Sequence, residues 1–246
     1  QLGGYEEAVE EVRQGTIEFA AVWLTKRYDD RLDVINLPGL IPLGQKQYVK
    51  LFFGEDQTFN NKVGGILKEM GIHSLGAWAE PLPNLFFGKG KTPKNLEDFN
   101  NKKSKIRVPA MPMYRDSYSM MGYQTLTMDL SEIWNALQTG QVDGGAGQTI
   151  EDAWIQGKDI IETYVYTRAL CPPQWLLVNQ DLWNSFTADQ QKIITKSIAA
   201  ANKRTLAAMD QKETEYKKLM EGAGKKVVTF SDKYYIDLSA RLRNDR

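Results

Sequence analysis

The sequence predicts an α/β protein of two lobes sharing one long helix. Three observations carry this reading. Helix-spaced and strand-length apolar patterns alternate along the chain. The longest apolar runs, "FAAVWL" (Phe19–Leu24) and "WLLV" (Trp175–Val178), are strand-length. From Thr187 to Gly222 neither Pro nor Gly interrupts the chain, which allows roughly 34 helical residues, about 50 Å at 1.5 Å per residue. Such a helix outspans a single small domain. Its apolar positions are broken by Lys, Arg and Asp, without the sustained heptad of a coiled coil, so a brace across two lobes fits better than a dimer helix.

The elements follow in order. Tyr5, Ala8, Val9 and Val12 fall at helical spacing, and Gly15 ends that helix. Ile17–Leu24 reads as a nearly continuous apolar strand, the type buried on both faces of a parallel sheet. Leu37–Gly44 is a turn-rich connection, Lys46–Met70 a mostly helical stretch closed by Gly71, and Ile72–Ala79 a strand. A short strand at Leu85–Phe87 and a short helix at Thr92–Asp98 precede the strand Lys105–Val108. Ser131–Thr139 is a helix ended by Gly140, "QVDGG" a brief strand and turn, and Trp175–Asn179 a further strand. Thr187 and Gln190 form a capping box at the start of the long helix.

Composition narrows the function. The 246 residues carry 31 basic and 31 acidic side chains, so no positive field exists to displace counterions from a nucleic acid. No run of about 18 apolar residues is present to span a membrane. Cys171 is the only cysteine and His73 the only histidine. An intrachain disulfide, a cysteine-based zinc site and most nucleophile–histidine mechanisms are thereby excluded. We expect His73 to be structural and the protein to be neither an enzyme nor a holder of a cofactor or metal.

Two glycine-rich stretches fail as nucleotide motifs. "GKGKTPKN" lacks the first glycine of a phosphate loop, since position 85 is Leu, and Pro93 blocks the helix that should follow. "VDGGAG" (Val142–Gly147) is not a dinucleotide fingerprint; its glycines mean backbone lying close to a ligand or to a packed helix. The acidic pairs, such as Glu10-Glu11 and Glu151-Asp152, read as solvated faces.

"KIRVPAMP" (Lys105–Pro112) is different. Ile106 and Val108 share one face of a core strand while Arg107 points to the other, and Pro109 ends the strand. A planar guanidinium there suits bidentate capture of a carboxylate, although an acidic side chain of the protein could equally be its partner.

Several segments together resemble a known family. "QLGGYEEAVEEVRQGTIEF", "DVINLPGLI", "TPKNLEDFNNKKSKIRVPA", "MDLSEIWNALQTGQVDGG" and "WLLVNQDLWNSFTADQQKII" stand in the order found in DctP-type solute-binding proteins of TRAP transporters. The resemblance runs through nearly the whole chain. It implies a periplasmic-binding-protein-like fold of two lobes with the long helix crossing both, closing around an organic acid. Such a receptor works in the periplasm, as a monomer, and delivers its solute to a sodium-coupled permease of small and large membrane subunits. The lobes would comprise residues 1–84 with 173–205, and 85–172 with 206–246. Family chains also carry further segments before "QLGG" and after "ARLRNDR", so the chain reads as shortened at both ends.

By position, the resemblance makes Arg107 the residue pairing with the ligand carboxylate. Other expected contacts match the family less well. Gly145-Ala146-Gly147 and Gln148 stand where many relatives have a Gln-Glu-Asn run, and Leu130 replaces a phenylalanine. Trp23 occupies a strand-end position often polar, Lys26 can add a second cationic contact, and Tyr5 falls where relatives place a polar or acidic contact. Trp23 and Trp175 would wall the pocket. No arginine lies between Arg31 and Arg107, so the second arginine of sugar-acid binders is missing. The expected ligand is a small monocarboxylate, with a dicarboxylate left open through Lys26. A sensing module for a signalling receptor is the alternative role.

Overall fold

The structure, a computed structural model, describes residues 5–99, 103–170 and 172–244. Helix α1 (Tyr5–Gln14) buries Val9 and Val12 and ends as Gly15 turns left-handed at φ +75°. Strand β1 (Phe19–Val22) follows, shorter than the apolar run, and a 3-10 segment occupies Asp30–Asn36. The expected helix over Lys46–Met70 is two helices, α2 (Gln45–Phe53) and α3 (Thr58–Glu69). Between them Gln57 Nε2 donates to Gly54 O (2.5 Å) and Asp56 Oδ1 accepts from Thr58 N (2.9 Å), so side chains replace the helical ladder.

Strands β2 (Ile72–Trp78), β3 (Asn84–Gly88) and β4 (Lys105–Val108) come next. The expected helix at Thr92–Asp98 does not form; turns occupy that stretch, and Asn95 Oδ1 accepts from Glu97 N (3.2 Å) instead. Helix α4 (Pro112–Met120) opens on Pro112 at its first turn. Strand β5 (Gln124–Thr127) leads to a 3-10 turn at Leu130–Glu132, which runs into α5 (Ile133–Gln138). Strand β6 (Gly144–Gln148), helix α6 (Ile150–Gly157), and strands β7 (Ile161–Val165) and β8 (Gln174–Asn179) follow. Then come α7 (Gln180–Ser185), α8 (Ala188–Gly222), β9 (Lys226–Val228) and α9 (Asp232–Asn244). The capping box before α8 forms: Gln190 Oε1 accepts from Thr187 N (2.8 Å) and Thr187 Oγ1 from Gln190 N (3.3 Å).

The chain divides into two compact units. Unit 1 comprises residues 1–36, 46–80 and 172–209. Its sheet has the order β1-β8-β2 with both pairings antiparallel. Among the described residues β1 pairs only with β8, antiparallel, and Phe19 is 47% exposed, where its composition predicts a parallel strand buried on both faces. A short apolar run does not by itself distinguish the two cases. His73 of β2 stacks on Trp183, ring centroids 4.1 Å apart, and burial pulls its pKa down.

Unit 2 comprises residues 37–45, 81–171 and 210–246. The expectation assigned residues 37–45 to the first lobe. In the structure Gly39 N donates to Ala169 O (2.8 Å) and Ser239 Oγ to Gly39 O (2.6 Å), which tie the segment to unit 2. Its six-stranded sheet runs β5-β4-β6-β3-β7-β9, parallel at β5/β4, β4/β6 and β7/β9 and antiparallel at β6/β3 and β3/β7. Ile106, Val108, Tyr118 and Leu238 belong to one of its apolar clusters; Phe86, Ile133 and Tyr164 belong to another. Helix α8 belongs to unit 1 as far as Met209 and to unit 2 from Asp210.

Candidate ligand-binding site

In unit 2 the site grows from β4. Its period-2 alternation sends Ile106 and Val108 into the core and Arg107 the other way, yet Arg107 is only 3% exposed. Its Nε donates to Met128 O (2.9 Å) and its Nη1 to Ala146 O (3.3 Å). Among the described residues no carboxylate lies within ion-pair distance of it. Asp129 and Glu132 act on it only through space, and Glu132 Oε2 accepts from Asp129 N (3.0 Å) in the turn before α5. Burial pulls the guanidinium below its ordinary pKa; Tyr114, Asp129 and Glu132 partly oppose this. A guanidinium has five N–H donors, and two carbonyls leave the fork short of acceptors and of any countercharge.

The neighbours are set by the sheet. Arg107 pairs in register with Gly145 on β6. Gly147, at φ +95°, has its missing Cβ position 3.5 Å from Pro109 and 3.7 Å from Tyr114. Gln148 is buried, its Nε2 donating to Gly147 O (3.2 Å). Arg107, Gly147 and Gln148 thus lie on adjacent strands of one sheet. Leu130, two residues beyond the carbonyl that holds Arg107, is 48% exposed. Gly144 and Gly145 answer the question their sequence raised: a Cβ on Gly145 would overlap Ile133 and come 2.8 Å from Phe86, so this backbone lies against packed side chains.

The other expected residues are in unit 1. Trp23 follows β1 and its Nε1 donates to Glu80 Oε1 (3.1 Å). Trp175 is fully buried on β8 opposite Val22 and Ala77, and its Nε1 has no hydrogen-bond partner. Lys26 is exposed, and Tyr5 opens α1, its side chain lying outside the described part. Cys171 also lies outside the described residues.

One acid that sequence reasoning did not single out is Glu80. Its Oε1 also accepts from Gln174 N (3.0 Å), and burial pushes its pKa up to about 7 against the pull of those two hydrogen bonds. The available signal was an acid placed directly between an apolar strand and Pro81.

Among the described residues no cluster of His, Cys, Asp and Glu is arranged to hold a metal ion, and no helix is long and apolar enough to cross a membrane.

Residues 1–243 match the model of bacterial extracellular solute-binding protein family 7, DctP, and the chain belongs to that family. It is 22% identical over 211 residues to the ectoine-binding periplasmic protein TeaA of Halomonas elongata, covering 84% of this chain and 60% of that protein. It is 22% identical over 232 residues to the ectoine/5-hydroxyectoine-binding periplasmic protein UehA of Ruegeria pomeroyi, covering 93% and 67%. The chain thus spans about three fifths of TeaA and two thirds of UehA.

Among solved structures, a TRAP periplasmic solute-binding protein from Desulfovibrio salexigens with bound orotic acid superposes with a TM-score of 0.78 at 19% identity, covering 99% of this chain and 76% of that one. A Citrobacter koseri protein with bound D-glucuronate gives 0.77 at 22% identity, covering 99% and 80%. TeaA in its apo state gives 0.83 at 19% identity, covering 96% and 76%. These similarities define the fold, the two-lobed periplasmic-binding type that the sequence resemblance implied.

Proposed function

We propose that this chain is the solute-binding part of a periplasmic TRAP receptor, and that it captures a small organic acid by pairing its carboxylate with Arg107. The solute then passes to a sodium-coupled membrane permease of two subunits. One observation carries the reading: Arg107 is 3% exposed and meets two carbonyl oxygens but no carboxylate among the described residues. A buried charge without a counter-ion is costly, and a ligand carboxylate would supply both the charge and the missing acceptors. Gly147, Gln148 and Leu130 are proposed as the neighbouring contacts. Family membership supports solute binding, as do the solutes named for the similar proteins, ectoine, orotate and D-glucuronate.

Removing one partner of such a contact loses about 3–5 kcal/mol. Against a micromolar ligand at about −8 kcal/mol, Arg107→Met should therefore abolish useful binding. Thermal-shift screening of an acid library should find stabilising carboxylates for the wild type and none for Arg107→Met, with Arg107→Lys recovering only a fraction. Equal stabilisation of wild type and Arg107→Met by the same acid would refute the assignment.

A further inference from the structure

Within unit 2 the pairing of β6 with β4 ends at Gly145, opposite Arg107, and two side chains take the next carbonyls of β6. Arg107 Nη1 donates to Ala146 O (3.3 Å) and Gln148 Nε2 to Gly147 O (3.2 Å). Their head groups are therefore anchored on consecutive residues of one strand, and the two residues are only 3% and 4% exposed. The backbone of Gln148 is fixed from both sides. Its carbonyl accepts from Tyr164 Oη (3.0 Å), and in the next residue Thr149 Oγ1 accepts from Asp152 N (3.1 Å) at the head of α6. The bond to Gly147 O also sets which way the amide faces, since the opposite orientation would press Oε1 against a carbonyl oxygen. Among the described residues no group donates to Oε1. Holding Gly147 O needs one N–H and no acceptor, so an unfilled acceptor in so buried a residue is a cost that the fold alone does not offset. Nor does a plain carboxylate on Arg107 offset it, because a carboxylate only accepts.

We propose that Gln148 is a specificity-determining residue that accepts a hydrogen bond from a solute hydroxyl on Oε1. This deepens the reading of Arg107 and rests on it for the acid group: the solute class narrows to hydroxy acids. A hydroxyl fits better than an ammonium. It both donates and accepts, and the open groups here are of both kinds: Oε1 accepts, while the second Nε2 proton and the spare guanidinium N–H groups donate. An ammonium would fill the acceptor alone and would bring a second positive charge toward Arg107. Successive Cα atoms are about 3.8 Å apart, so head groups anchored on successive carbonyls suit a hydroxyl within a few carbons of the carboxylate.

Two series of probes test this: butyrate with 2-, 3- and 4-hydroxybutyrate, and 3-phenylpropionate with its 2- and 3-hydroxy derivatives, chiral members as both enantiomers. Each hydroxy acid is also compared with its fluoro analogue, which is close in size and has no O–H to donate. Affinities are measured by calorimetry on the wild type, Gln148→Met and Arg107→Met. In the wild type at least one hydroxy acid should bind about tenfold or more tightly than both its parent and its fluoro analogue. Gln148→Met should bring that hydroxy acid to within about twofold of its parent. If no hydroxy acid in either series outbinds its parent, or if the fluoro analogue or Gln148→Met keeps the advantage, the proposal is overturned. The fluoro comparison needs only the wild type, so it decides even where the variant does not fold. Parent acids that bind the wild type and are lost in Arg107→Met would then leave the Arg107 reading standing. Acids indifferent to Arg107→Met would remove that reading and this one with it.

Discussion

Arg107 and Glu80 are both charges taken out of water, one on each unit, and each bears a different mark of it. For Glu80 the mark is a pKa near 7. Since the ordinary value is 4.5, the folded protein holds a proton between pH 4.5 and 7 that the unfolded chain releases. Stability from this group is therefore full below about pH 4.5 and declines as pH rises through 7. Glu80→Gln should leave stability at pH 4.5 nearly unchanged and raise it at pH 8 by up to about 3 kcal/mol, read from denaturant midpoints at the two values. Wild type and variant differing equally at both pH values would contradict this. Gly144 gives a packing test: an added Cβ would overlap Phe86 O and reach 2.9 Å from Phe87. Gly144→Ala should lose about 1–3 kcal/mol, measured as a shift in midpoint at constant slope. At this scale the sequence is uneven. Arg107 was legible because a guanidinium in an apolar strand is locally odd. Glu80 was not, because the groups that hydrogen-bond it, on Trp23 and Gln174, are 57 and 94 residues away. Trp175 shows the same limit: a strand-end tryptophan reads more often as core than as pocket wall, and the structure buries it fully on β8, opposite Val22 and Ala77.

At the scale of elements, local chemistry was readable wherever local chemistry decided. The caps of α1 and α8, the breadth of β4 and the existence of α8 followed from spacing, Gly15 and the Thr187–Gln190 pair. What failed was decided elsewhere. The break between α2 and α3 depends on three polar side chains competing for backbone groups, which apolar periodicity does not register. Strand β9 is three residues long and exists through its parallel pairing with β7. Asn202 illustrates a contact of the same long reach: its amide mimics a neighbouring strand, bonding Ala79 N and Ala77 O from α8. Asn202→Ala leaves both without that partner and should destabilise the protein by about 1–3 kcal/mol, whereas Thr187→Ala at the head of α8 should lose about 1 kcal/mol. Chemical denaturation of the two variants side by side checks the order; a larger loss from Thr187→Ala would reverse it.

At the scale of the molecule, the fold class was legible from the alternation of elements and from α8, while the segment 37–45 was assigned by chain order and the structure groups it with unit 2. Solute binding should register globally. An acid present at 100 times its Kd adds about 2.7 kcal/mol to a two-state protein, enough to raise Tm by about 5–10 °C at this length. A stabilising acid whose effect fails to grow with concentration would not be bound at a saturable site. The segment 37–45 also bears on how the chain comes together. Gly39 leans on Ala169 and on Ser239 of α9, the latter two hundred positions downstream. During synthesis those nine residues emerge long before either support exists, so they stay undocked through most of translation. Maturation of unit 2 therefore waits on α9, and a nascent chain halted ahead of that helix should offer this stretch to proteases that the folded protein resists.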